Sequence, residues 1–221
     1  MPDRMRWIFV ATVALLVILA DQWTKFLAVR DLTPGVREAH VRAIEGGLPA
    51  GDPDLTQQLG YFYGAVSNPC DHRGFVYPRC ETISFIDGFW AFRYVENKGA
   101  AWGLFAGVSD RFRVPLFYAI SIAALVFIFG YLRKLSDRQR MMAWGLSLVL
   151  GGALGNFVDR LHLQYVIDFI DWYAGSFHWP TFNVADAAIS TGVGLLILDS
   201  VLEPKRKPEP EPAARGASEV S

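Results

Sequence analysis

Two short segments of this sequence place an asparagine three residues before an aspartate, a pattern that could bring two carboxyl groups together for acid–base chemistry. Asn156 precedes Asp159 in GGALGNFVDR, and Asn183 precedes Asp186 in FNVADAAIS. Two carboxyl groups within about 3 Å share one proton, because both cannot easily ionise. The ionised member can then deprotonate water while the protonated member polarises a carbonyl group. If Asp159 and Asp186 form such a pair, the chemistry that it permits is hydrolysis by an aspartate dyad.

Each aspartate also has a structural interpretation. Asn183 could cap a helix with Asp186 as its partner in the first turn, where the helix dipole favours a carboxylate. Asp159 could form an ion pair with its neighbour Arg160 where another helix ends. For either aspartate alone the structural interpretation is favoured, whereas the repeated Asn-x-x-Asp spacing favours the catalytic one.

Other chemistries have no signature in this sequence. The chain contains no His-Glu-x-x-His zinc motif, no Gly-x-Ser-x-Gly nucleophile elbow and no phosphate-binding glycine-rich loop. Its net charge is −1, and no basic stretch alternates with aromatic residues. We therefore expect neither a metal nor another cofactor, and no nucleic acid partner.

Apolar segments long enough to span a bilayer determine where the two aspartates lie. Hydrophobic residues make up 52% of the 221 residues and charged residues only 19%, which is low for a soluble domain. Crossing a bilayer takes about 20 apolar residues, and four segments qualify, at about 7–29, 114–132, 141–158 and 184–202. No small-residue cleavage site follows the first segment, so we predict a retained helix rather than a signal peptide.

Basic residues near the helix ends predict the orientation of the chain. They precede the first helix, join the second to the third at 133–140, and follow the fourth at 205–207. These clusters share one side of a four-span topology, so both termini are predicted to be cytoplasmic. Asp159 then lies at the outer end of the third helix and Asp186 in the first turn of the fourth, at similar depth.

The first helix carries a pair of opposite charges, Asp21 and Lys25, one turn apart on one face. Charged groups inside a membrane segment are costly and therefore informative. We predict a neutralising ion pair with a structural role. The alternative is a pair that orients the catalytic groups.

An insertion and a small sheet are predicted on the outer face. Residues 31–82 are rich in Gly, Pro and Asp, which indicates a loop-rich insertion. Its Cys70 and Cys80 could form a disulfide in an oxidising compartment or remain free thiols. Residues 83–95 have the aromatic and β-branched pattern of strands, and a short sheet on the membrane surface would fit them. Residues 203–221 are Pro-rich and charged, which predicts a disordered cytoplasmic tail.

Five segments, in order, resemble the lipoprotein signal peptidase (signal peptidase II) family. They are DQWTK (21–25), ENKGAAWGLF (96–105), GGALGNFVDR (151–160), VIDF (166–169) and FNVADAAIS (182–190). The resemblance implies a bacterial inner-membrane aspartic peptidase with four transmembrane helices and a small β-cradle on the periplasmic face. It implies lipidated prolipoproteins as substrates, cleaved just before a diacylglyceryl-modified Cys at the phospholipid bilayer.

The same resemblance implies roles for individual residues. The catalytic dyad falls on Asp159 and Asp186. The positions that shape the site fall on Asn97, Asn156, Arg160 and Asn183, and the family's helix 1 pair falls on Asp21 and Lys25. The connection at 31–82 is longer than is usual in the family.

Two functions of other classes remain as alternatives. A small ion-coupled carrier could use Asp21, Asp159 and Asp186 as relay sites, although carriers usually place such groups near the membrane midplane. A non-catalytic assembly factor could use the insertion for binding.

Overall fold

Four long helices and a small antiparallel sheet form the architecture of the computed structural model, which describes residues 3–64, 80–98, 109–136 and 139–202. The helices are α1 (Asp3–Leu32), α2 (Gly35–Glu45), α3 (Leu55–Tyr63), α4 (Asp110–Leu132), α5 (Arg140–Leu163) and α6 (Val184–Leu202). The strands are β1 (Thr82–Ile86), β2 (Trp90–Asn97), β3 (Val166–Ala174) and β4 (Phe177–His178). The predicted tail at 203–221, Cys70, and the GAAWG part of the second matching segment lie outside the described residues.

Helices α1, α4, α5 and α6 are each long and apolar enough to cross a membrane, which confirms the predicted membrane architecture. α5 is central, because it packs against all three of the others. Its Gly152 lies directly against the Ala185 carbonyl of α6, and a Cβ atom at Gly155 would lie 2.6 Å from Asp21 Oδ2 of α1. Glycine at these positions lets the helices approach closely.

α5 extends further than the sequence predicted. The predicted end was residue 158, but the helix continues to Leu163 and ends where Gln164 adopts a left-handed conformation with φ 65°. The polar residues after position 158 suggested an exit from the bilayer, yet none of them stops a helix. Asp159 therefore lies within α5, and it is only 2% exposed.

The predicted strands are present as an antiparallel sheet of order β1-β2-β3-β4. On one face, Tyr94, Ile167 and Phe169 form a hydrophobic cluster with Phe26 of α1 and Phe62 of α3. Because side chains alternate along a strand, Asp168 projects from the opposite face of β3. This alternation directs a carboxyl group away from the core and towards the N-terminus of α6.

The described part of the insertion is more regular than the predicted loop-rich segment, because it contains α2 and α3. α3 begins with a capping box in which Asp54 and Gln57 exchange side-chain and backbone hydrogen bonds, a strong start signal. Cys80 is disulfide-bonded, and Cys70 is the only other cysteine in the sequence.

Candidate active site

Lys25 is the centre of a buried charge network between α1 and α5. Its ammonium lies 2.7 Å from Asp21 Oδ2, 2.8 Å from Asp159 Oδ2 and 3.0 Å from Asn156 Oδ1. A lysine has three N–H donors, so these three acceptors satisfy it completely. Lys25 and Asp21 are both 0% exposed. The structure thus forms the predicted ion pair on α1 and adds Asp159 as a second carboxylate partner.

Asp159 is held by structural contacts on both of its oxygen atoms. Gln22 donates to Oδ1 at 2.7 Å, while the backbone N–H of Ile167 donates to Oδ2 at 3.1 Å alongside Lys25. Its ion-pair partner is therefore Lys25 rather than the neighbouring Arg160. These contacts tie α1, α5 and the start of β3 together.

The insertion reaches this network through Tyr63 at the end of α3. The Tyr63 hydroxyl donates to Gln22 Oε1 at 3.4 Å. Burial raises the pKa of Tyr63, and the nearby charges of Asp159 and Asp21 raise it further. The described part of the insertion thus packs beside the charge network.

Asp186 occupies the first turn of α6 in a reciprocal capping arrangement with Asn183. The Asp186 backbone N–H donates to Asn183 Oδ1 at 2.9 Å, and the Asn183 backbone N–H donates to Asp186 Oδ2 at 3.3 Å. Asn156 of α5 donates to Asp186 Oδ1 at 2.8 Å. The capping role predicted from the sequence is therefore present, and it fixes the orientation of the carboxylate.

Asp168 of β3 is linked to Asp186 through Asn183, which donates a hydrogen bond to each of the two carboxyl groups. It is 1% exposed, and it accepts hydrogen bonds from Asn97 at 2.8 Å and from Asn183 at 2.7 Å. Burial raises the pKa of Asp168 far above the usual range of a carboxyl group, and the charge of Asp186 raises it further. A strongly raised pKa caused by burial and a neighbouring carboxylate is typical of a functional pair.

Asn183 and Asn156 connect the two groups of charges. The Asn183 side chain bonds to Asp168 through its amide nitrogen and to the Asp186 backbone through its oxygen. The Asn156 oxygen accepts from Lys25, while its nitrogen donates to Asp186. In addition, the Ala185 backbone N–H donates to Asp21 Oδ1 at 3.0 Å. The buried charge network therefore holds the first turn of α6 directly.

The predicted site residues thus divide into two groups. Asn97, Asn156 and Asn183 surround the pair Asp168–Asp186, whereas Asp159 belongs with Asp21 and Lys25 in the charge network. Sequence reasoning missed Asp168 as a catalytic candidate, although it lies in the matching segment VIDF. The available signal was an acidic residue with two apolar residues on each side, in VIDFI, since a buried charge without a role is rare.

An open cleft lies beside the pair, between the sheet, the N-terminal part of α4 and the C-terminal part of α5. Its lining residues are Asn97, Lys98, Phe117, Tyr118, Arg160, Gln164 and Tyr165. The Arg160 guanidinium lies 4.9 Å from the centre of the Phe117 ring and donates to the Asn156 carbonyl at 3.3 Å. Burial raises the pKa of Tyr165 to about 12, so its hydroxyl stays protonated at neutral pH. The cleft therefore offers hydrogen-bond donors next to Asp168.

No cluster of three or more acidic, histidine or cysteine side chains that could hold a metal ion occurs within the described ranges. The chemistry available from these side chains is acid–base chemistry by paired carboxyl groups.

Comparisons with known proteins agree with this arrangement. The family model for signal peptidase (SPase) II matches residues 62–202. A lipoprotein signal peptidase of Anaeromyxobacter sp. (strain Fw109-5) is 39% identical over 196 residues, 87% of this chain and 84% of the relative. One of Geobacter sulfurreducens is 46% identical over 127 residues, 58% of this chain and 78% of the relative.

Solved structures support the same fold. A bacterial membrane enzyme determined at 2.3 Å resolution superposes with a TM-score of 0.58 at 23% identity, covering 91% of this chain and 94% of that one. A second, determined at 1.9 Å resolution, gives a TM-score of 0.56 at 25% identity over 88% and 93% of the two chains. With the family model matching well over half of the sequence, the chain belongs to the signal peptidase II family, membrane aspartic proteases that remove signal peptides from prolipoproteins.

Proposed function

We propose that this protein cleaves prolipoproteins immediately before the lipidated Cys, with Asp168 and Asp186 as the catalytic dyad. The observation that carries the proposal is the bridge formed by Asn183, whose side chain donates to the buried Asp168 carboxyl group and whose backbone N–H donates to the Asp186 carboxyl group. The sequence favoured Asp159 as the partner of Asp186. Asp168 is the better candidate, because Asp159 forms an ion pair with Lys25 at 2.8 Å, whereas Asp168 accepts hydrogen bonds from the neutral amides of Asn97 and Asn183.

The environments of the two carboxyl groups favour different protonation states. Burial favours the protonated form of Asp168. Asp186 lies at the N-terminus of α6, where the helix dipole favours a negative charge, and it accepts a hydrogen bond from Asn156. We therefore assign Asp186 as the general base and Asp168 as the general acid.

In this mechanism, Asp186 removes a proton from a water molecule as the water oxygen attacks the scissile carbonyl carbon. Asp168 donates its proton to the carbonyl oxygen, which yields a neutral tetrahedral gem-diol. Asp186 then transfers its proton to the departing nitrogen as the C–N bond breaks, and a hydroxyl of the diol returns a proton to Asp168. Both carboxyl groups regain their starting states, and neither a metal nor a covalent intermediate is required.

The remaining site residues have supporting roles in this proposal. Asn183 bonds to both aspartates and fixes their relative position. Asn97 orients Asp168 from the adjacent strand. Arg160 and the cleft next to Asn97 provide donors for the peptide backbone of the substrate. Asp21, Lys25 and Asp159 hold the helices that carry the dyad.

The membrane location follows from the four spanning helices and the charge distribution. We propose a bacterial inner-membrane protein with both termini in the cytoplasm and the dyad at the periplasmic interface. A signal helix would then enter laterally from the bilayer, while the acyl chains on the Cys stay in lipid. The proposed dyad residues lie in the first turn of α6 and on the strand β3, so the end of a spanning helix would carry the scissile bond at the membrane interface.

Substitution of each aspartate tests the dyad. Purified Asp168→Asn and Asp186→Asn variants should lose about 10³-fold or more in turnover of a diacylglyceryl-modified precursor, because each removes a proton-transfer group. Asp159→Asn should stay within about tenfold of the unsubstituted protein, since the amide retains an acceptor for Lys25. Asp171→Asn is the matched control, because Asp171 is also buried on β3 but lies on the opposite face.

Thermal unfolding in detergent should show that all four variants are folded. Near-normal turnover by folded Asp168→Asn, combined with complete loss in folded Asp159→Asn, would return the catalytic role to Asp159. Equal loss in Asp168→Asn and Asp171→Asn would show that any buried acid on this strand matters only for folding.

A further inference from the structure

Four aromatic side chains form a patch on the sheet, at a distance from the dyad. This aromatic patch consists of Phe89, Trp90, Trp172 and Phe182. The Trp172 ring stacks on Phe89 with centroids 6.0 Å apart and contacts Phe182 edge-to-face at 5.0 Å. Trp90 is the cross-strand neighbour of Trp172 in the β2–β3 pairing. Trp172 is 41% exposed and Phe89 is 50% exposed, so the patch is available for contact.

The patch lies on the same face of β3 as the catalytic candidate Asp168. Residues 168 and 172 are four positions apart, and side chains at even spacings project from the same face of a strand. At the usual rise per residue, about 13 Å of strand separates them. An extended peptide bound at the dyad would cover this distance with about four residues.

Trp90 adds an unused hydrogen-bond donor to the patch. Its indole N–H is buried, and it has no acceptor among the residues that the structure describes. Leaving a buried donor without a partner is destabilising, so such a group needs an explanation. A backbone carbonyl of an extended peptide lying across the strand pair would satisfy it.

We propose that the aromatic patch is a subsite for the segment of the prolipoprotein that follows the lipidated Cys. Trp172 and Phe89 pack against side chains about four residues beyond the scissile bond, and the Trp90 N–H donates to a backbone carbonyl there. This inference rests on the proposed function, because it takes Asp168 as the position of the scissile bond.

A peptide is favoured over lipid as the occupant of the patch. Trp172 shares its strand and face with Asp168, so a chain that leaves the dyad in an extended conformation along β3 would pass over it. The Trp90 N–H, which has no acceptor within the described ranges, also matches a peptide carbonyl at a defined position, whereas lipid headgroups offer acceptors at no fixed position. Aromatic side chains lose little conformational entropy when they bind a ligand, so they are suited to binding peptides of varied sequence.

Substrate truncation tests the subsite. We would measure kcat/KM for lipidated precursors that end about two or about eight residues after the Cys, using the full-length protein in detergent and in bilayer nanodiscs. The unsubstituted protein should favour the longer substrate by about tenfold, the gain expected from one aromatic contact and one hydrogen bond. Trp172→Ala and Trp90→Phe should lose most of this gain while cleaving the shorter substrate at the normal rate.

The comparison between substrates separates this inference from the proposed function. Phe177→Ala is the matched control, because Phe177 is 58% exposed at the start of β4 but lies outside the patch; it should keep the full preference for length. The subsite is refuted if the unsubstituted protein shows no preference, or if Phe177→Ala loses it equally. It is also refuted if the patch variants lose turnover of both substrates to the same degree, as a contact with lipid or a role in folding would produce. Failure of the dyad assignment would appear separately, as full activity of Asp168→Asn on the shorter substrate.

Discussion

Replacing Lys25 by methionine should destabilise the protein far more than removing an exposed ion pair from the same helix. The Lys25 ammonium is fully buried and lies 2.7 Å and 2.8 Å from two carboxylates. Methionine fills a similar volume but leaves Asp21 and Asp159 buried without a cation. Breaking a buried pair costs about 3–5 kcal/mol, which for a chain of this length corresponds to a fall in Tm of roughly 6–20 °C.

Thermal unfolding of the purified protein in one detergent measures this effect. Arg30→Met is the matched control, since Arg30 contacts Asp31 at 2.6 Å near the end of the same helix, with both side chains largely exposed. Removing an exposed pair should cost only about 0–1 kcal/mol. The two variants lose the same charge from α1, so the difference between their Tm values reports burial alone.

Neutralising the two carboxylates should restore much of the stability that Lys25→Met loses. The triple variant Lys25→Met, Asp21→Asn, Asp159→Asn removes the unpaired charges, and replacing a whole buried ion group is often close to neutral. We expect it to recover at least half of the lost Tm. A Tm of Lys25→Met equal to that of Arg30→Met, or a triple variant less stable than Lys25→Met, would refute the electrostatic account of this network.

Two further predictions concern the dyad and the helix packing. The value of kcat/KM should fall as the pH rises through the raised pKa of Asp168, because the general acid is then deprotonated. It should also fall at acidic pH, because the general base Asp186 is then protonated. A pH–rate profile measures both changes. A profile that stays flat on the alkaline side would remove Asp168 from the role of acid. Gly155→Ala should lower stability by about 1–3 kcal/mol, because its Cβ would lie 2.6 Å from Asp21 Oδ2. Thermal unfolding measures it, with Gly130→Ala as the control in open space on α4; equal effects of the two substitutions would contradict the proposed close approach.

The membrane helices and the ion pair on α1 could be predicted from the sequence, because both depend on local spacing. The length of the apolar segments is enough to locate the four membrane-spanning helices. A separation of four residues places Asp21 and Lys25 on one face of α1. The capping of α6 by Asn183 is equally local. The helix α3 could also have been predicted, since Asp54 and Gln57 have the spacing of a capping box.

The proposed pairing of Asp168 with Asp186 could not be predicted in this way. The position of α5's end depends on the left-handed conformation of Gln164, and five additional helical residues moved Asp159 from the supposed interface into the packed interior. The turn after α5 then brings the Ile167 N–H against Asp159 and directs Asp168 towards Asp186. These are contacts between distant elements, and residue spacing contains no information about them.

The hydrogen bond from the Ala185 backbone to Asp21 has a consequence for biosynthesis. It joins the first spanning helix to the last, and the proposed dyad requires Asp186 from that last helix. A nascent chain that has inserted α1, α4 and α5 therefore has a buried lysine and its carboxylates but no second catalytic acid. Proteolytic activity would therefore arise only after α6 has inserted and packed against α1 and α5.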